Sequence, residues 1–257
     1  MSASPSGAVD RRAVLPRQHG AWAMLATPLL LGIAASQPAS WQAVVAVAAV
    51  SGFLTSATVQ AWLRARRSPA YHRLLLVFGA TFGVSALALV AAWPALLLTL
   101  VVLLPATAVT LGGAKPGTPR DLANSLAQVA QAVVLVPAAA WVSGAWDAGA
   151  VSAMTVVAAA FLVGEVLIVR SVLRERGNAR FAALSLGYHA VLVIAALVAL
   201  PSAYALLALL LLGRAALLPP LQSRWATTSH PLRPIHVGLL ELACSIGLVV
   251  VAFAVPL

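Results

Sequence analysis

Two carboxylates, an imidazole and a set of amides stand inside long apolar runs of this sequence, where each is costly unless it does something. Glu165 and Glu241 each lie within such a run, His189 within another, and Ser185 falls one helical turn before His189. Polar groups at membrane depth face protein or a water-filled cavity, and carboxylate and imidazole side chains there can pass protons or orient a headgroup. Glu165, His189 and Glu241 are therefore the candidate catalytic or proton-handling residues. Asn124, Gln128 and Gln131 recur at i, i+4 and i+7, a polar stripe on one helix face, and Ser51, Thr55 and Thr58 repeat the spacing. Arginines stand near the ends of the same runs. A guanidinium grips phosphate or carboxylate bidentately without a metal, so Arg64, Arg67, Arg170 and Arg174 are the candidate holders of an anionic ligand, with Asn124, Gln128, Gln131 and Arg214 beside them.

Each group also has a structural alternative. Hydroxyls and amides in membrane helices tie helices together. Glu165 can pair with Arg170 or Arg174, and Glu241 with Arg214 or His236. His189 can be a satisfied interior histidine, and Arg64, Arg66 and Arg67 can serve topology alone. The absences narrow the chemistry further. The chain has six acidic residues and no Asp-rich pair, a thin supply of oxygen ligands for Mg²⁺ ions bridging a pyrophosphate. Mg²⁺ is therefore not supported, the identity of any cofactor is left open, and no metal site is expected. A single cysteine, Cys244, excludes an internal disulfide. No nucleophile elbow, phosphate loop or dinucleotide fingerprint occurs, and Gly112-Gly113 with Lys115 reads as a loop.

The elements that must position these groups follow from composition. Of 257 residues, 62% are hydrophobic and 9% charged, with a formal net charge of +10. Soluble domains are about 25% charged, so a water-soluble globule is excluded. Spanning helices need about 17–25 apolar residues, and nine runs approach or meet this: 20–36, 41–63, 73–93, 95–112, 122–141, 149–169, 181–200, 202–218 and 235–255. Backbone in lipid must satisfy itself, so each is a helix. The sixteen basic residues fall before the first run or at every second connection, and the intervening connections carry none. Positive loops face the cytoplasm. The expected fold is thus all-α: a polytopic bundle of nine transmembrane helices over 19–257, N-terminus cytoplasmic and C-terminus outside. Trp41, Trp93, Trp141 and Trp146 mark the far boundary. Residues 1–18 read as a disordered basic cytoplasmic tail. The start also has the outline of a signal peptide, but Pro28 and the residues around His19 favour a working helix. Most deep polar groups sit toward the basic side, which predicts a cytoplasm-facing polar cavity with an arginine-rich mouth. The basicity records topology, so the expected surroundings are a lipid bilayer with one cytoplasmic face, and no nucleic acid.

Several motifs agree, in order, with a known family. Leu15-Pro16-Arg17-Gln18-His19-Gly20-Ala21-Trp22-Ala23-Met24, then Pro28 and Gly32, resembles the opening of the YwiC-like bacterial membrane proteins. So do Glu165…Val169-Arg170-Ser171…Arg174, His189, Arg214-Ala215…Pro219-Pro220 and Gly238…Glu241. A more distant similarity joins the first helix to UbiA-type intramembrane prenyltransferases, through a His entry, a Trp, and a Pro followed four residues later by Gly. That resemblance implies a UbiA-like nine-helix fold and a site open to the cytoplasm, and it adds His19 and Trp22 to the ligand-binding candidates. Where that family carries Asp-rich motifs, this chain reads Gln60-Ala61-Trp62-Leu63-Arg64-Ala65-Arg66-Arg67 and Glu165-Val166-Leu167-Ile168-Val169-Arg170-Ser171. Only the fold and the cavity carry over, not the metal sites, and the transferase activity is left open. The functional expectation is a membrane protein that binds or processes an isoprenoid or other anionic amphiphile. A proton-coupled small-molecule transporter and a non-catalytic assembly or scaffold factor are the alternatives.

Overall fold

The computed structural model describes residues 19–113, 121–225 and 233–257. The expected tail over 1–18 and the basic residues Lys115 and Arg120 lie outside them. The described residues are helical with short connections. The helices are α1 (His19–Ala34), α2 (Trp41–Arg64), α3 (His72–Ala92), α4 (Leu100–Gly112), α5 (Leu122–Val133), α6 (Leu135–Trp141), α7 (Ala148–Leu173), α8 (Ala179–Ala199), α9 (Ser202–Trp225) and α10 (Pro234–Ala254). Short 3₁₀ turns, Pro69–Tyr71 and Pro94–Thr99, lead into α3 and α4. Among the described residues, eight rods, counting α5 and α6 as one, are long and apolar enough to cross a membrane, and α1 is a shorter ninth.

Local chemistry explains the boundaries. Asp121 and Asp147 cap α5 and α7 by accepting from the backbone N–H of Asn124 (2.7 Å) and Ala150 (2.8 Å), and Asn178 caps α8 through Phe181 N–H. The span expected over 122–141 is broken at Val134, because Pro137 has no N–H to give Val133 and its ring crowds that carbonyl. Helix α9 runs seven residues past the expected end at Leu218, through Pro219 and Pro220 to Trp225. Its extension is held because Gln222 is buried against Arg176, whose guanidinium donates to the amide oxygen at 2.7 Å in the orientation that satisfies both groups.

Helix α7 forms the axis of the bundle and touches α1, α5, α6, α8, α9 and α10. Its Met154, Ala158, Phe161 and Leu162 anchor the main core with Leu31, Val136, Leu211 and Leu248. Around it α1 pairs with α10 and α6, α2 with α3, α4 with α5, and α8 with α9. Close approach of α1 to α6 depends on Gly32, where an added Cβ would lie 2.4 Å from the Val136 carbonyl oxygen and 2.8 Å from Ala139 Cβ. Large apolar side chains on α3, α4, α8 and α9 face outward, as a lipid-facing surface requires.

Candidate functional site

Four helices deliver charged or polar groups to one buried cluster. Helix α7 supplies Glu165, α9 supplies Arg214, α10 supplies Glu241 and Cys244, and α8 supplies Ser185 and His189. Arg214 Nη2 donates to Glu165 Oε1 at 2.7 Å, and Nη1 to Glu241 Oε1 at 2.8 Å. The three side chains are 6–10% exposed. Nη1 also lies 3.5 Å from Cys244 Sγ. One guanidinium thus bridges two carboxylates that the sequence separates by 76 positions, and each carboxylate keeps one buried oxygen, Oε2, without a partner.

His189 sits beside this triad. Its Nδ1 donates to the Ser185 carbonyl at 2.7 Å, because a carbonyl only accepts; Nε2 is thereby left as a bare acceptor, buried and without a partner. Gly164, the neighbour of Glu165, makes room for it, since a Cβ there would stand 3.1 Å from Nε2. Tyr188 OH donates to the Ala160 carbonyl at 3.0 Å and ties α8 to α7 one turn away. Measured along the helices at about 1.5 Å per residue, the cluster is roughly 10–16 Å from the ends of α7, α9 and α10 that carry the flanking arginines.

The other expected site residues lie elsewhere. Arg170 pairs with Glu175 at 3.3 Å and lies over the Phe181 ring, and Arg174 closes α7 through its backbone N–H. Arg64 Nη2 is 3.5 Å from Gln60 Oε1, and Arg67 lies over the Trp62 ring, 5.8 Å from its centroid. Gln131 donates to Thr107 Oγ1 at 2.9 Å, joining α5 to α4. Asn124 is buried close to Gly113, and Gln128 is exposed. Ser51, Thr55 and Thr58 return their hydroxyls to carbonyls of their own helix, a local bond that the regular spacing mimics as a stripe. Trp22 meets Phe53 edge to face at 5.8 Å. The backbone of His19 opens α1, and its side chain is outside the described set.

Arg214 corrects one sequence expectation. The charge pattern assigns every basic residue to the stretch before the first run or to a connection, but Arg214 lies eleven residues before the end of α9, inside the bundle. The sequence left Gln42 unassigned, whose amide reaches Ser36, Gln37 and Ala139 and pins the far-side junction, and it offered Arg66 for topology alone. Arg66 and Arg67 have φ of 51° and 63°. The N–H of Arg67 reaches back to Trp62 O at 2.8 Å and that of Arg66 to Leu63 O at 3.3 Å, a Schellman end in which glycine is the usual residue at the position of Arg66. Among the described residues, no three His, Cys, Asp or Glu side chains gather as a metal site.

The comparisons fit this outline. No solved structure matches the chain. Residues 15–140 match the family described as YwiC-like protein, which covers α1 to α6. A Bacillus subtilis (strain 168) protein described as "Uncharacterized protein YwiC" is 31% identical over 183 residues, 70% of this chain and 76% of that relative. With the opening motif, the family match and this relative in agreement, the chain belongs to the YwiC-like family, as a multi-pass bundle of apolar helices.

Proposed function

We propose that this protein holds an anionic amphiphile, isoprenoid or lipid-like, with its headgroup at the turn between α2 and α3 and its tail along the seam of those helices. The observation that carries this reading is the placement of charge. Every described carboxylate is committed elsewhere: Asp121 and Asp147 cap helices, Glu175 meets Arg170, and Glu165 and Glu241 meet Arg214. The α2–α3 turn exposes Arg66, Arg67 and Arg73 with no acidic side chain on either helix. It also keeps arginine where glycine would relieve a left-handed backbone, a cost of about 1–3 kcal/mol that tends to persist at functional positions. A phosphate or carboxylate headgroup matches such a site through charge-assisted bonds.

The same helix pair supplies an apolar groove of about 600 Å³ near its other end, lined by Val44, Val47, Thr81, Val84 and Ala88 among others. From Arg64 back to Val47 the helix rises roughly 25 Å, a length suited to an extended hydrocarbon chain. The test is chemical analysis of amphiphiles that co-purify with the protein. Wild type should retain an anionic species, and Arg66→Gln/Arg67→Gln should lower its recovery about tenfold, the effect of losing one charged hydrogen bond of about 1.4 kcal/mol. No anionic species in wild type, or equal recovery from both proteins, would exclude the proposal.

A further inference from the structure

The buried cluster at the junction of α7, α8, α9 and α10 has a charge that does not close. With both carboxylates ionised, Glu165 and Glu241 contribute two negative charges against the single positive charge of Arg214, and the remainder is enclosed by apolar helices. An excess charge at membrane depth is costly. Each carboxylate oxygen left without a donor adds a desolvation cost of its own. Among the described residues, no cation other than Arg214 pairs with either carboxylate. Of the other ionisable side chains on these four helices, Tyr188 and His189 on α8 already donate to carbonyls through the hydroxyl and Nδ1, Tyr204 on α9 donates to the Val255 carbonyl, and Cys244 on α10 receives from Arg214. Arg170 on α7 pairs with Glu175, and Arg180, Arg224 and His236 stand in the end turns of their helices. Helix α1 packs against α7 and α10 and carries His19 alone at its start, and α5 has no ionisable residue within Leu122–Val133.

We propose that Glu165 and Glu241 hold one exchangeable proton between them, with Arg214 as their fixed counter-ion. The proton sits on an Oε2, turning an unpartnered acceptor into a neutral hydroxyl, and its release to a base leaves the carboxylate ready for a cationic group. His189 Nε2, bare and lodged against Gly164, the neighbour of Glu165, is the base that receives it, and the Nδ1 bond to Ser185 keeps that tautomer. This stands apart from the amphiphile reading, which concerns α2 and α3.

The experiment is infrared spectroscopy of the full-length protein in lipid nanodiscs, reading the carbonyl stretch of protonated carboxyl groups as wild-type-minus-variant differences. Wild type should show a band worth one carboxyl that both Glu165→Gln and Glu241→Gln remove, because either change leaves one carboxylate balanced by Arg214. Arg214→Gln should double the band, since both carboxyls must then be neutral; if that variant does not fold, the two glutamine variants decide the matter. His189→Gln should leave the band in place. No carboxyl band in either glutamine difference, a band that one of the two substitutions leaves intact, or its loss on His189→Gln would overturn the proposal. Co-purified amphiphile, measured on the same samples, reports separately on the α2–α3 site.

Discussion

Arg214 shows how one side chain can set the character of a whole site. Alone in an apolar bundle a guanidinium would be prohibitive, yet here it donates at 2.7 and 2.8 Å to carboxylates from two other helices. Removing one partner of a buried ion cluster costs about 3–5 kcal/mol, whereas replacing the whole cluster with apolar residues is often neutral or stabilising. Arg214→Ala should therefore destabilise the protein by about that amount, read as a lowered unfolding transition in detergent. The triple variant Glu165→Leu/Arg214→Met/Glu241→Leu should regain most of the loss. Recovery of stability in that variant would mean that the fold does not need these charges, which points to a role beyond structure. If the triple variant stays as unstable as Arg214→Ala, the cluster is structural.

At the scale of elements, small residues decide which helices may touch. Gly32 lets α1 lie on α6, and its replacement by Val would drive a side chain into the Val136 carbonyl and Ala139. Overpacking of this kind costs typically about 1–3 kcal/mol. Gly32→Val should lower the thermal transition accordingly, while Gly83→Val, on the open face of α3 where an added Cβ meets nothing within 4 Å, should leave it nearly unchanged. Equal effects at the two positions would refute the close α1–α6 contact. The broken rod formed by α5 and α6 has the same kind of cause, a single proline.

Across the whole molecule, orientation follows from charge. The described arginines outside the core gather where α2 meets α3, where α7 meets α8, and at the facing ends of α9 and α10, and positive connections stay in the cytoplasm. In a Cys244→Ser background, Ser40→Cys should react with a membrane-impermeant maleimide added to intact cells, and Ser223→Cys only after permeabilisation; the reverse pattern would invert the topology. The helices themselves were legible because lipid imposes a length and an apolar composition on each one. Eight rods and the shorter first helix end within a few residues of the runs read from sequence, apart from the extended end of α9 and that of α7, which runs to Leu173. Glu165, His189 and Glu241 were legible as polar residues at depth, because burial makes each of them costly. The pairing of Glu241 with Arg214 was one of two alternatives open to it. Glu165, however, meets Arg214 and not Arg170 or Arg174, its neighbours along the chain, and that was not legible, since hydropathy records that a group is buried and not which helix faces it. The sequence by itself determined the number, boundaries and class of the elements, properties that depend on neighbours along the chain. Only the tertiary structure decided that Arg214 belongs between the two carboxylates and not with the basic connections, that the regular Ser–Thr stripe turns inward on its own helix, and that Arg66 occupies a left-handed turn. Those facts depend on contacts between residues far apart in sequence, and hydropathy is blind to them.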